Sequence, residues 1–392
     1  MLVRLQRWLM LSVFVCASGA SAAEAARPRL IQSLDVQIPV APSPVVIAGK
    51  RRLAYELHLT NFTTHDIALT TVQVFDADRA SALAGYREGA LAGLLGRPGV
   101  KRDGVDARLL AGGMRAVLFL WIELDPAAPT PTRLRHEIDL EILRPGGREA
   151  LALQAGEIEV AKRAPVSLSA PLRGGPWVAL YDPSMAFGHR TSIYTLDGRA
   201  RIPARFAIDW VRLEHDATHA RGDDAAAANW HGYGAEVLAV ADGVVAEAKD
   251  DLPALDAVSA SRGPMPLENG SGDYVVLDIG DGRYVFYEHL QHGSVQVRAG
   301  DRVRRGQVIA RLGNTGSSSS GPHLHFHVAD APSTLAAEGA PYVFRSFEVI
   351  GRFDAIGDFA SNTPWRAAPA SEAGARRMEL PDANVVVMFP AN

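Results

Sequence analysis

The stretch Gly313-Asn-Thr-Gly-Ser-Ser-Ser-Ser-Gly-Pro-His-Leu-His-Phe-His-Val328 decides how the rest of the chain reads. Its Gly/Ser loop passes through Pro322 into a short strand, and side chains alternate across a strand. His323, His325 and His327 therefore share one face, and Leu324, Phe326 and Val328 take the other. Three imidazoles on the accessible side of a strand with a greasy underside read as a row of ligands and bases held up by a packed core. The bland alternative is a polar strand face wetted by solvent.

Two segments outside this stretch supply partners. In Phe206-Ala-Ile-Asp-Trp-Val211, alternation places Ala207, Asp209 and Val211 on one side and Phe206, Ile208 and Trp210 on the other. Asp209 is then a carboxylate on an otherwise small or apolar face, which calls for a partner. In Tyr284-Val-Phe-Tyr-Glu-His-Leu290, Val285, Tyr287 and His289 share a face. One aspartate and one histidine, on separate strands, can converge on the His323/His325 strand.

The whole-chain numbers bound the rest. With 392 residues, 47% hydrophobic and 21% charged, the chain suits two folded domains plus tails rather than long disorder. A net charge of −4, without a basic stripe interleaved with aromatics, argues against nucleic acid as a partner. Arg4 and Arg7 precede an apolar run from Trp8 to Ala17 and then small residues through Ala23. That pattern reads as a signal peptide over residues 1–23, cleaved near Ala20-Ser21-Ala22, with an extracytoplasmic mature chain free of transmembrane segments. The Arg- and Ala-rich build favours the periplasm. Cys16 is the only cysteine and lies inside this segment, so any metal must be held by histidine and carboxylate.

In chain order the signals are those of strands. Tyr55–Thr60 alternates, Ala68–Phe75 is rich in β formers, Ala116–Leu124 is a long apolar run, and Leu134–Leu143 alternates again. These predict an immunoglobulin-like β-sandwich over residues 30–165, with a short helix within Ser81–Leu95. His58, His65 and His136 in this region have no metal spacing and read as surface or satisfied core histidines. Pro165, Pro171, Gly174, Gly175 and Pro176 mark a boundary. Beyond it, Phe206–Leu213, Glu236–Ala246, Tyr274–Ile279, Tyr284–Leu290, Ser294–Val297 and Val308–Leu312 predict a second mainly β domain over residues 180–350. Val343–Val349 reads as an edge strand, and residues 369–392 as a weakly structured tail in which Val385–Phe389 can dock as a strand.

Several of these motifs, in register, resemble peptidase family M23, the lysostaphin and LytM-type zinc endopeptidases of peptidoglycan. They are Phe187-Gly-His-Arg190, Gly234-Ala-Glu-Val-Leu-Ala-Val-Ala-Asp-Gly-Val-Val245, Gly272-Asp-Tyr-Val-Val-Leu-Asp278, Tyr287-Glu-His-Leu290, Gly300-Asp-Arg-Val-Arg-Arg-Gly306 and Gly313 through Phe326. The likeness covers about Phe187 to Val328 and implies an M23-type antiparallel β-sheet domain after the sandwich. It implies further that Asp209 and His325 bind Zn²⁺ and that His289 and His323 stand beside the metal as catalytic histidines. The residue types agree, since zinc takes imidazole and carboxylate and a neighbouring histidine can serve as a general base.

One position departs from the family. A zinc-binding histidine stands four residues before the aspartate in the family, and here that position is Arg205. A guanidinium has no lone pair to give, so Arg205, which alternation would turn toward the site with Asp209, cannot be a ligand. His189, His215, His219, His231 and His327 are the candidate replacements, and the sequence does not rank them. Where His327 stands the family often carries Glu or another polar residue.

The resulting expectation is an exported zinc metallo-endopeptidase hydrolysing peptide bonds of peptidoglycan. The other is a catalytically inactive LytM-like module that binds peptidoglycan or regulates a cell-wall hydrolase, as Arg205 would favour. On either, peptidoglycan peptides are the partner, with a wall-associated protein partner conceivable through the amino-terminal domain. Gly300 to Ile309 also resembles a biotinyl or lipoyl carrier hairpin, but no lysine lies between Gly280 and Pro341 to hold the cofactor.

Overall fold

In the computed structural model, residues 31–100, 104, 106–183, 188–253, 257–258, 266–361 and 363–391 are described. The expected signal peptide lies outside them. No helix among the described residues is long and apolar enough to cross a membrane.

Strand alternation in the sequence becomes burial in the structure. Along Arg133–Arg144, Leu134, His136, Ile138, Leu140 and Ile142 are buried and the residues between them are not. The chain first builds two antiparallel five-stranded sheets. One contains Leu34–Gln37, Ser43–Ile47, Lys50–Asn61, Leu95–Gly96 and Arg115–Glu123. The other contains Asp66–Asp76, Ser81–Arg87, Leu109–Leu110, Arg133–Arg144 and Gly147–Glu159. All four strands expected here form. The expected helix shrinks to Glu88–Gly93, because Ser81–Arg87 pairs with Asp66–Asp76 as a strand.

An eleven-stranded antiparallel sheet follows and carries the site. Its central order is Asp273–Asp278, Tyr284–Leu290, Leu324–Ala329, Ile208–Arg212, Trp177–Leu180, Val385–Met388 and Phe347–Arg352. The expected edge strand Val343–Val349 divides into Tyr342–Phe344, paired with Val166–Leu168, and Phe347–Arg352, which is no edge because Val385–Met388 pairs with it on one side and Arg366–Ala367 and Gly374–Arg376 on the other. Val385–Met388 docks as expected and closes the gap to Trp177–Leu180. Two sequence readings change locally. Glu236–Ala246 splits into Glu236–Leu238 and Gly243–Lys249, in different sheets, and Ser294–Val297 is loop.

Beneath the large sheet, Ile208, Trp210, Tyr287, Leu324, Phe326 and Phe344 join one apolar cluster. The same cluster takes in Val45, Ile47 and Ala54 from the amino-terminal sheets, and residues Ser33–Asn392 form one compact unit. Each such large side chain removed from water contributes about 1.5–3 kcal/mol, which fixes the register of the strands above.

Candidate metal and catalytic site

Strand pairing assembles the site. Asp209 lies directly opposite His325 on one side of the Leu324–Ala329 strand, and Glu288 lies opposite His325 on the other. The three stand in one row across three adjacent strands. His325 Nδ1 reaches Asp209 Oδ1 at 2.8 Å. The third member of the cluster comes from elsewhere: His189, on the short 3-10 segment His189–Thr191, places Nε2 3.1 Å from Asp209 Oδ2. Ligand atoms of His189, Asp209 and His325 all lie within 4.8 Å of one another. Two imidazoles and one carboxylate converging on both oxygens of a single Asp form a donor set that fits zinc.

Of the candidate replacements for the missing histidine, the structure therefore brings in His189. His215 is exposed. His219 lies against Trp230, with ring centroids 4.4 Å apart, and His231 faces Thr218 and Glu214. His327 shares the His325 face, as alternation predicts, but that face is not open to solvent. His327 is 1% exposed, stacks on Phe286 at 4.4 Å, and has no hydrogen-bond partner at either nitrogen. A second group, Glu288, His325 and His327, shares His325 with the first and has the spacing for a metal, but all three of its members are buried.

Arg205 does not face the site. The strand begins at Ile208, so alternation does not reach back to Arg205, which sits in the preceding turn. Its Nε donates to Glu56 Oε2 at 3.0 Å, Nη1 to the Gly339 carbonyl at 2.9 Å, and Nη2 to Glu338 Oε2 at 2.9 Å. The guanidinium is spent on carboxylates away from Asp209.

His289 also reaches the site by a route that alternation misses. Val285 and Tyr287 point into the apolar cluster below the sheet, and His289 would follow them. Its φ of 61° instead turns the backbone left-handed, beside a register shift in the pairing with Asp273–Asp278. That irregularity aims the ring at the site, with its centroid 4.7 Å from His323 and 6.0 Å from His325. Such a conformation costs a non-glycine residue about 1–3 kcal/mol and points to a functional demand.

Backbone carbonyls fix both flanking histidines. His289 Nδ1 lies 2.9 Å from the Thr315 carbonyl, and His323 Nδ1 lies 2.6 Å from the Gly321 carbonyl. A carbonyl only accepts, so each Nδ1 carries the proton and each neutral ring keeps its Nε2 lone pair. Thr315 is itself pinned, donating its hydroxyl to the Leu290 carbonyl and accepting from the Asp273 N–H. Nothing in the local sequence marks Thr315 for this place. Gly316 approaches Gly272 so closely that a Cβ on it would lie 2.4 Å from the Gly272 nitrogen, which accounts for glycine in this loop.

Electrostatics sort the groups. Burial opposes ionisation of Asp209, but His189 and His323 and the hydrogen bonds of His189 and His325 outweigh it and hold the carboxyl well below its ordinary range. Burial, reinforced by His323 and His325, pushes His289 well below the usual imidazole value. Burial also lowers His323, with Asp209 as a partial offset. His325 goes the other way, because Asp209 and Glu288 overcome its burial. At neutral pH, His289 and His323 are thus uncharged proton acceptors beside an ionised Asp209. Together with Trp230, Ile356 and Phe359, Asp209 and His323 line a cleft of about 400 Å³. A cavity of about 440 Å³ beside Arg173, Arg305 and Arg345 contains none of these groups.

Residues 220–336 match the model of peptidase family M23, and the chain carries a peptidase M23 domain. That span holds His289, His323 and His325 but neither Asp209 nor His189. Over 61 residues the chain is 46% identical to an uncharacterized metalloprotease of Haemophilus influenzae, a match covering 15% of this chain and 12% of that protein. Among solved structures, the catalytic domain of the antimicrobial peptidase lysostaphin from Staphylococcus simulans shares 21% identity, covering 43% of this chain and 88% of its own, with a TM-score of 0.24. A catalytic-domain mutant of the prophage-encoded M23 protein EnpA from Enterococcus faecalis shares 20%, covering 44% and 93%, with a TM-score of 0.26. A zinc-containing peptidase from Vibrio cholerae shares 15%, covering 75% and 81%, with a TM-score of 0.23.

Proposed function

We propose that this M23 protein is an exported zinc metallo-endopeptidase that hydrolyses peptide bonds of peptidoglycan, with zinc held by His189, Asp209 and His325. The observation that carries the reading is the convergence of His189 Nε2 and His325 Nδ1 on opposite oxygens of Asp209, at 3.1 and 2.8 Å. Bound there, zinc supplies Lewis-acid polarisation of the scissile carbonyl and acidifies a water.

The protein groups do the rest. His289 and His323 present Nε2 lone pairs beside the cluster, so each can take a proton from an attacking water and return it to the leaving amine. Neither neutral ring can donate through Nε2, so of these two rings only one that has just been protonated can hydrogen-bond the developing oxyanion. The cleft along Trp230 and Phe359 gives an extended peptide an apolar wall leading to His323.

The alternative of a catalytically inactive module drew its support from Arg205. With His189 in the cluster and Arg205 paired to Glu56 and Glu338, that support is gone. Elemental analysis of the purified protein is expected to give about one zinc per chain, and sacculus or muropeptide digestion is expected to stop with a chelator. His189→Ala should lose the metal. A zinc-free wild type, or digestion indifferent to the chelator, refutes the proposal.

A further inference from the structure

His189 differs from its two partners in how it is held. Asp209 and His325 sit on paired strands of the large sheet, whereas His189 belongs to a three-residue 3-10 segment outside any sheet. The next residue, Arg190, points away from the cluster into the amino-terminal sheets and is 3% exposed. Its Nη2 donates to Glu56 Oε1 at 3.3 Å and to the Leu120 carbonyl at 3.0 Å, and its guanidinium lies 5.2 Å from the Trp121 ring centroid. Glu56, on the strand Lys50–Asn61, is 2% exposed and binds Arg205 as well, at 3.0 and 3.2 Å. One buried carboxylate thus holds the residue after His189 and the turn that leads into Asp209.

Resting on the zinc reading above, we propose that Glu56 is a positioning residue for the metal site: through Arg190 and Arg205 it sets His189 against Asp209, so the amino-terminal sheets complete the site. The physical reason is the cost of stranding charge. Without the Glu56 carboxylate, Arg190 keeps no carboxylate partner among the described residues and faces Arg205 across a dry interior. The 3-10 segment has no strand ladder to keep it in place, so it is the part that yields. Arg205, at the position where the family carries a ligand, here serves the clamp that brings in the substitute ligand.

The test compares zinc affinity with stability in the full chain. Zinc dissociation constants are measured by competition with a chromophoric chelator, and folding by circular dichroism, for wild type, Glu56→Gln, Arg190→Met and Leu140→Ala. Leu140 lies in the core of the amino-terminal sheets, outside the clamp, and reports what destabilisation alone does. The expected result is zinc affinity at least about 10-fold weaker in Glu56→Gln while still folded, and unchanged affinity in Leu140→Ala. Arg190→Met leaves the Glu56–Arg205 pair in place and should weaken zinc similarly, which decides the matter should Glu56→Gln fail to fold. Wild-type affinity in both clamp variants, or equal weakening in Leu140→Ala, overturns the positioning role. A wild type that takes up no zinc refutes the metal reading itself, and the positioning role falls with it.

Discussion

At the scale of single residues, the flanking histidines and Arg205 make opposite demands on the same neighbourhood. His323 Nε2 lies 3.5 Å from Asp209 Oδ1 and lines the cleft, without being needed to complete the His189, Asp209 and His325 cluster. His323→Gln should therefore keep about one zinc per chain and lower turnover of a peptide substrate by roughly 100-fold or more, as loss of a general base does. Zinc loss in that variant would move His323 into the ligand set. Arg205→His, which restores the residue type the family has at that position, should not raise zinc content. The imidazole would face Glu56 and Glu338, and the lost buried pairs should cost about 3–5 kcal/mol, read from urea denaturation. Asp209, His323 and His325 were legible in the sequence because a two-residue period and a direct cross-strand pair put them together. His289 comes beside them by a turn that alternation did not foresee, since no local pattern announces a φ of 61°.

Among elements, the late strand Val385–Met388 is placed to contribute to stability. It fills the slot between Trp177–Leu180 and Phe347–Arg352, with Val386 on the side of Val178 and Phe353 and Val387 in the main cluster with Trp210 and Phe344. Val387→Ala, at a fully buried position, should cost about 2 kcal/mol, seen as a lower denaturation midpoint with unchanged slope. An effect within experimental error would mean the strand is dispensable. The sequence marked this run only as an apolar segment able to dock. Its place in the middle of the sheet depends on Trp177–Leu180 and Phe347–Arg352, which stand 208 and 38 residues earlier by their first residues (385 − 177 and 385 − 347), and no local window spans such pairings.

On the scale of the whole molecule, the amino-terminal sheets contribute to how the protein answers acid. His136 is fully buried, with Nδ1 donating to the Gly156 carbonyl at 2.8 Å and Nε2 accepting from the Tyr55 hydroxyl at 2.7 Å. Burial lowers it from 6.5 to about 4. The unfolded chain then takes up a proton that the native state refuses, so stability is full above about 6.5 and falls as pH drops toward 4, by on the order of 3 kcal/mol. His136→Gln should flatten that part of the stability-against-pH curve, and an unchanged slope would assign acid sensitivity to other groups. The sequence by itself determined the mainly β fold, the M23 likeness, and the Asp209, His323 and His325 constellation, because alternation, turn residues and closely spaced motifs are local properties. Only the tertiary structure decided where His189 and Arg205 stand relative to Asp209. His189 stands twenty residues before Asp209 on a segment without regular pairing, and a buried carboxylate on a distant strand claims the arginine and turns it away. Which side chains meet across such separations is set by packing and by the cost of burying unpaired charge, quantities that exist only once the chain has folded.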